Sequence, residues 1–265
     1  MKKILIAGCF VFSISLVQAQ QKKGLVTYER VSQFQIQFSA GHEGLDQLLP
    51  KTRTDKFELT FGNNQSVWKQ GEQEDETPGF SGEGMQVRMI SSGSTDVLYT
   101  NLETAKRVEK REMFDKSFIV DDTIARLKWK MTGETKTILN MPCMKATSTR
   151  ISTRMAMNID NGKMERKEVQ DTANIVAWFT SSIPVSAGPA EYQGQLPGLI
   201  LEMDINNGRQ TFKALSISEK ADLALIKEPT GKKHLTGAEF DKERDRMLQE
   251  MQQNNQGGQR IIRMN

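Results

Sequence analysis

Several stretches of this chain alternate strictly between apolar and polar residues, and that period of two decides the fold class. Phe34, Ile36 and Phe38 alternate with Gln33, Gln35 and Gln37; Phe57, Leu59 and Phe61 repeat the pattern, and so do Ile175, Ala177 and Phe179. Successive side chains of a strand point to opposite faces, so one set faces a core and the other faces water. Half-buried strands of this kind belong to antiparallel sheets, because strands of a parallel sheet read as continuous apolar runs. Further strands are expected near 85–91, 96–101, 105–112, 124–131, 135–157, 210–217 and 221–227. Turn signals separate them: Gly62-Asn63-Asn64, Asp160-Asn161-Gly162 and Asn206-Asn207-Gly208, with Asn-Gly pairs that tolerate the positive φ of a hairpin turn.

The two ends read differently. Lys2 and Lys3 precede an apolar run from Ile4 to Val17, and Val17-Gln18-Ala19 sets small residues at a cleavage site. This order is that of a secretory signal peptide, and its core of about 14 residues is short of the roughly 20 needed to span a bilayer. Cleavage after Ala19 makes 1–19 a signal peptide and predicts a periplasmic or envelope location in a Gram-negative bacterium. The alternative is a lipoprotein modified at Cys9, after Ile6-Ala7-Gly8. At the other end, Thr236-Gly237-Ala238-Glu239 is a capping box, opening a helix over 236–253 with Phe240, Met247 and Met251 apolar. Residues 254–265 are polar and contain Gly, which predicts a disordered tail. Between the ends, 20–235 reads as one antiparallel β domain, with an acidic, Gly-containing surface loop over 70–84.

Charge excludes one class of partner. The formal charge is +3 over the whole chain, two of those charges being Lys2 and Lys3. Local basic clusters at Lys106-Arg107, Lys110-Arg111 and Lys232-Lys233 are interleaved with acids, as on a solvated face, so no nucleic acid is expected. Loss of Cys9 with the signal peptide leaves Cys143 as the single mature thiol. Its neighbours Met141, Pro142 and Met144 are apolar, which predicts a buried, inert side chain.

Chemistry-bearing motifs are sparse. His42 and His234 have no metal-ligand spacing, and neither a nucleophile elbow nor a phosphate-binding loop occurs. Met141, Cys143 and Met144, with Met155, Met157 and Met164 beyond, offer the soft ligands that suit copper. Against copper, Met141 and Cys143 share one strand face while Met144 faces the other. A hydrolase built on paired acids such as Asp121-Asp122 is a further alternative. No cofactor is expected.

Residues 174–203 carry the most specific pattern. A strand ending at Trp178 leads into Ile183-Pro184, Gly188-Pro189, Tyr192 and then Gln195-Leu196-Pro197-Gly198-Leu199-Ile200. Pro184 and Pro189 fix φ and remove donors, and Pro197-Gly198 suits a type II turn with positive φ at the glycine. This stretch resembles the GLPGLI family of exported bacterial proteins. Lys136, Ile138, Cys143, Lys145 and Ala146 fit that family's upstream segment, and Val26-Thr27-Tyr28-Glu29 fits its first strand. Gln195 stands where the hexapeptide begins with Gly, and Met141-Pro142 replaces Gly-Tyr before the cysteine. The resemblance implies a mainly β fold, a curved antiparallel sheet forming a half-barrel like the periplasmic lipoprotein carriers, with a C-terminal helix. It implies no reaction. Trp178, Pro184, Gly188, Pro189, Tyr192, Pro197, Gly198 and Leu199 are the candidate binding residues. They either line a groove for an apolar ligand or peptide, or close one end of the core with Trp178 under the turn. The expected role is a non-enzymatic binding or accessory module for an apolar ligand, a peptide or an outer-membrane partner. A structural or assembly protein acting through loops and tail is the next alternative.

Overall fold

The computed structural model describes residues 22–33, 52–71, 80–82, 85–87, 96–160 and 163–256; side chains are described for these except within 80–87, 152–169 and 251–256. The expected signal peptide, the Phe34–Phe38 alternation, His42 and the Asn161-Gly162 turn lie outside the described residues, as does most of the 70–84 loop.

Among the described residues fourteen strands form: β1 (Gly24–Gln33), β2 (Thr52–Gly62), β3 (Gln65–Gln70), β4 (Phe80–Gly82), β5 (Met85–Val87), β6 (Val97–Asn101), β7 (Lys106–Met113), β8 (Lys116–Thr123), β9 (Lys130–Ile138), β10 (Met141–Asp160), β11 (Lys163–Thr180), β12 (Leu199–Ile205), β13 (Gln210–Ser218) and β14 (His234–Thr236). One helix, α1 (Gly237–Gln256), follows. Twelve strands make one curved sheet in the order β14-β8-β7-β6-β3-β2-β1-β13-β12-β11-β10-β9, while β4 and β5 pair apart from it. The sheet is two antiparallel meanders joined where β1 pairs with β13. Only β14 on β8 is parallel among the described pairs.

Chain length forces this sheet to curl. β8 and β9 stand ten strand intervals apart, which in a flat sheet is about 48 Å. Yet residues 124–129 alone connect them, and the chain from Thr123 to Lys130 reaches at most about 25 Å. The two flanks must therefore come together, with 124–129 as a chord across the inner face. This segment is not the strand that 124–131 predicts. Leu127 and Trp129 turn into the core, and the Gln195 side chain replaces a strand partner: its Oε1 accepts from Leu127 N–H at 3.0 Å and Trp129 Nε1–H at 3.3 Å, and its Nε2 donates to Ala125 O at 2.9 Å. Ser148 Oγ holds the far end by donating to Lys128 O at 2.8 Å.

The alternation sorts the faces as expected. Val26, Tyr28, Leu59, Phe61, Trp68, Ile175, Ala177, Phe179, Met203 and Phe212 build the inner core. Tyr28, fully buried, donates its hydroxyl to Ile200 O at 2.5 Å. On the outer face Val67, Tyr99, Val108 and Ile119 form a smaller cluster with Ile226 packed on it. That covering comes from 219–233, where the expected strand 221–227 is instead irregular, with a 3-10 turn at Leu223–Leu225. The segment lies against an already paired sheet face, so its backbone has no free strand to join. Two further corrections follow from turns. The 135–157 stretch divides at Leu139 and Asn140, both at positive φ (48° and 60°), and β8 at 116–123 was not anticipated. Asn63-Asn64 and Asn206-Asn207-Gly208 do adopt the left-handed turn conformation expected of them.

The capping box forms as expected: Glu239 accepts from Thr236 N–H and Thr236 Oγ1–H at 2.8 and 2.9 Å, and Glu239 N–H donates back to Thr236 Oγ1 at 3.3 Å. Phe240 and Met247 of α1 pack on Phe118 and Val120 of the inner face. The helix continues through 254–256, residues assigned above to the tail. No helix among the described residues is long and apolar enough to cross a membrane, which leaves strands out of account.

Phe179 is fully buried, whereas Trp178, on the opposite face, is half-buried with Lys136 Nζ 4.3 Å from its ring centre. Phe179→Ala is expected to cost about 3–5 kcal/mol and Trp178→Ala about 1–2 kcal/mol. Urea denaturation measures both; an equal or larger loss at Trp178 contradicts this assignment of faces.

Candidate functional site

The 181–198 connection between β11 and β12 folds back across the inner face and walls a cleft there. Short backbone bonds shape it: Val185 N–H donates to Ile183 O at 2.8 Å, Ala187 N–H to Val185 O at 2.7 Å, and Gly198 N–H to Leu196 O at 2.9 Å. Leu199 N–H to Ile183 O and Ile200 N–H to Ala187 O, at 3.1 and 3.0 Å, close the loop onto β12. Ile183, Ala187, Tyr192 and Leu196 go into the core. Gln193, 2% exposed, accepts from Ser66 Oγ of β3 and donates to Ala190 O at 3.1 Å. Ala190 begins a 3-10 turn at φ 48°, an uncommon conformation for a residue with a Cβ.

Gly198 has a different task from the one its motif suggests. It is not among the residues at positive φ, so the type II turn does not form there. Instead a Cβ at Gly198 would lie 2.2 Å from Thr180 O. Glycine is required because the backbone passes against the end of β11. At Gly188 a Cβ would meet Tyr192 O at 2.9 Å and Ile200 Cδ1 at 2.7 Å. Positive φ falls on Gly194 instead (74°).

The candidate residues thus separate. Tyr192 and Pro189 are buried on the inner side with Gly188, Gly198 and Leu199, while Pro184 and Pro197 are exposed. Trp178 faces outward between Lys136 and Lys145, away from Tyr192, so the two aromatics do not share a groove. Cys143 is fully buried and free, and burial raises its thiol pKa. Met144 is 41% exposed while Met141 packs against the core, so these sulfurs diverge. Among the described residues no group of three or more His, Cys, Asp or Glu side chains is placed to hold a metal.

The cleft has a volume of about 470 Å³. Phe57 and Trp68, stacked at 4.9 Å, and Leu98 floor it. The chord residues Ile124 and Leu127 and the loop residues Ala190, Tyr192 and Gln195 wall it. Charged groups rim it. Arg30 pairs with Asp55 at 2.7 Å, its guanidinium 4.4 Å above the Phe57 ring. Arg150 pairs with Glu191 at 2.8 Å, and Arg107 and Arg111 both grip Glu109, at 2.9 and 2.8 Å. Burial alone would raise the pKa of Asp55, but hydrogen bonds and charge from Arg30 and Arg53 hold it below the ordinary range. Burial lifts Asp96 above it. Arg30, Arg150 and Asp55 were missed from the sequence. Their signal was a charge in the inward phase of an alternating strand, as in Val26-x-Tyr28-x-Arg30.

Gly198→Ala is expected to destabilise the fold by about 1–3 kcal/mol. Thermal denaturation reads the change; a neutral substitution contradicts the close passage against Thr180.

Residues 129–202, from the end of the chord through β11 and the loop into β12, match the family model described as "Protein of unknown function (Porph_ging)". No curated protein matches the chain. Two solved structures of PNGF-II match the chain. The C2 crystal form has a TM-score of 0.50 at 15% identity, covering 83% of this chain and 32% of that one. The P21 form has a TM-score of 0.47 at 15% identity, covering 81% and 32%. The chain therefore spans about a third of the length of PNGF-II, and a likeness at this identity shows the fold alone.

Proposed function

We propose that this chain is an exported, non-enzymatic binding module that takes a ligand into the inner-face cleft. The observation that carries this reading is the cleft itself: about 470 Å³, within the range of small-molecule sites, with walls fixed by the buried Gln193 and the half-buried Gln195. The N-terminal pattern of Lys2, Lys3 and Val17-Gln18-Ala19 supports export to the periplasm or envelope, and the motif from Trp178 to Ile200 supports assignment to the GLPGLI family. A purely apolar ligand fits less well than the alternation suggests, because Ile183, Ala187, Tyr192 and Leu196 already fill the inner face. The remaining space, an aromatic floor under an arginine rim, suits an amphipathic ligand with a flat apolar body.

A hydrolase is the second reading, favoured by Asp96, whose raised pKa lets it keep a proton at higher pH than an ordinary carboxylic acid. Glu109 and Glu191, the other carboxyls of the cleft, are each gripped by arginine.

Native mass spectrometry of protein purified from envelopes is expected to show a co-purifying small molecule. Gln70→Trp, which fills the cleft from β3, is expected to remove it. Retention of the molecule by a folded Gln70→Trp protein overturns the assignment to this cleft, and turnover of the recovered molecule by wild type but not by Asp96→Asn favours the hydrolase.

A further inference from the structure

Among the described residues, three buried side-chain polar atoms have no hydrogen-bond partner: Arg30 Nε, Arg150 Nε and the Tyr192 hydroxyl. All three residues line the same cleft. Folded proteins rarely leave such groups unpaired, because a buried donor without a partner has lost its water for nothing. Their convergence on one cavity is a property of that cavity.

Each arginine is held by one carboxylate. Arg30 donates to Asp55 through Nη2 at 2.7 Å, and Arg150 to Glu191 through Nη1 at 2.8 Å. Each guanidinium is thus fastened to a protein carboxylate at one nitrogen while its Nε is left unspent. In Arg150 the nitrogen beside Nε is Nη2, which Glu191 does not hold, so the two form a fork that matches the two oxygens of a carboxylate; in Arg30 that neighbour is the Nη2 already given to Asp55. Arg150 also lies 5.8 Å from the centre of the Tyr192 ring, so the two residues with unspent donors are neighbours in the cleft. Tyr192 is 2% exposed, and burial raises its pKa, so it keeps its proton to donate. The Arg30 and Arg150 side chains remain 30% and 38% exposed, while their Nε atoms and the Tyr192 hydroxyl are themselves covered, so a ligand oxygen reaches these donors as the arginine side chains turn at the cleft mouth.

We infer that the cleft recognises an organic carboxylate, whose oxygens accept from the Nε edge of Arg150 and the Tyr192 hydroxyl while its apolar body lies toward Phe57 and Leu98, with Arg30 a further donor at the rim. This rests on the cleft being the binding site. A single negative charge fits better than a phosphate dianion, because each of the four arginines lining the cleft is already paired with a carboxylate, which leaves little uncompensated positive charge to hold a second one.

The test is isothermal titration of the purified protein with benzoate, cinnamate and 4-biphenylcarboxylate, each beside its uncharged carboxamide. At least one acid is expected to bind about 10- to 100-fold more tightly than its amide. Tyr192→Phe is expected to weaken the acid about 5- to 10-fold and leave the amide unchanged. Arg150→Gln is expected to abolish the preference, with circular dichroism checking that both variants fold. Equal binding of acid and amide overturns the carboxylate inference while leaving the cleft reading intact. So does failure of every acid to bind, or an acid preference that survives both variants. Loss of acid and amide together in Gln70→Trp marks the cleft as the site; an acid preference unaffected by it overturns cleft and inference alike.

Discussion

A short connection sets the shape of this molecule. Six residues, 124–129, link strands that stand ten intervals apart in the sheet. No flat arrangement satisfies that reach, so the sheet must curl until its flanks meet across the inner face. Everything of functional interest depends on this closure. The chord supplies one wall of the cleft, and the loop that supplies the other is bonded to the chord through Gln195. The amide of Gln195 offers both an acceptor and a donor in one plane, as a strand backbone does. A glycine at this position would have no side chain with which to make these bonds.

The inner face is divided by polarity. On the β11–β13 side it is filled by large apolar side chains and the returning loop. On the β2, β3, β6 and β7 side, aromatic packing gives way to arginines and acids. An ion-paired arginine within a strand's inward phase is expensive unless something uses it. Asp55, 1% exposed, is held by Arg30 and Arg53, and its lowered pKa has a definite consequence for stability. Its contribution is present above the unfolded-state pKa, about 4, and fades as pH falls through the lower folded-state value. The pairing of Asp55 with Arg30 and Arg53 is therefore in place at neutral pH.

Much of this architecture was legible in the residues. The alternations at Phe57–Phe61 and Ile175–Phe179 report directly on β2 and β11, since a period of two admits no other regular structure. The Asn-containing turns and the Thr236–Glu239 capping box are local chemistry, and local chemistry survives folding. What could not be read was set by distant contacts. Residues 124–129 alternate well enough for a strand, but they lie across the sheet and bond to Gln195, some seventy positions away. Gly198 looked like a turn glycine because Pro-Gly is a turn signal. Its actual constraint, the Thr180 carbonyl, is visible only once β11 and β12 are paired. Trp178 drew attention as an aromatic beside prolines, yet the strand's own parity sends it to the outer face. The same parity, applied to charges, would have picked out Arg30 and Arg150.

The curl is the claim on which cleft, clamp and ligand all stand. Spin labels at Ser117 on β8 and Thr135 on β9, both exposed and away from the chord, measure it by double electron–electron resonance. The account predicts a narrow distance distribution well below the about 48 Å that ten flat strand spacings would give. A distribution centred at or beyond that value would contradict it.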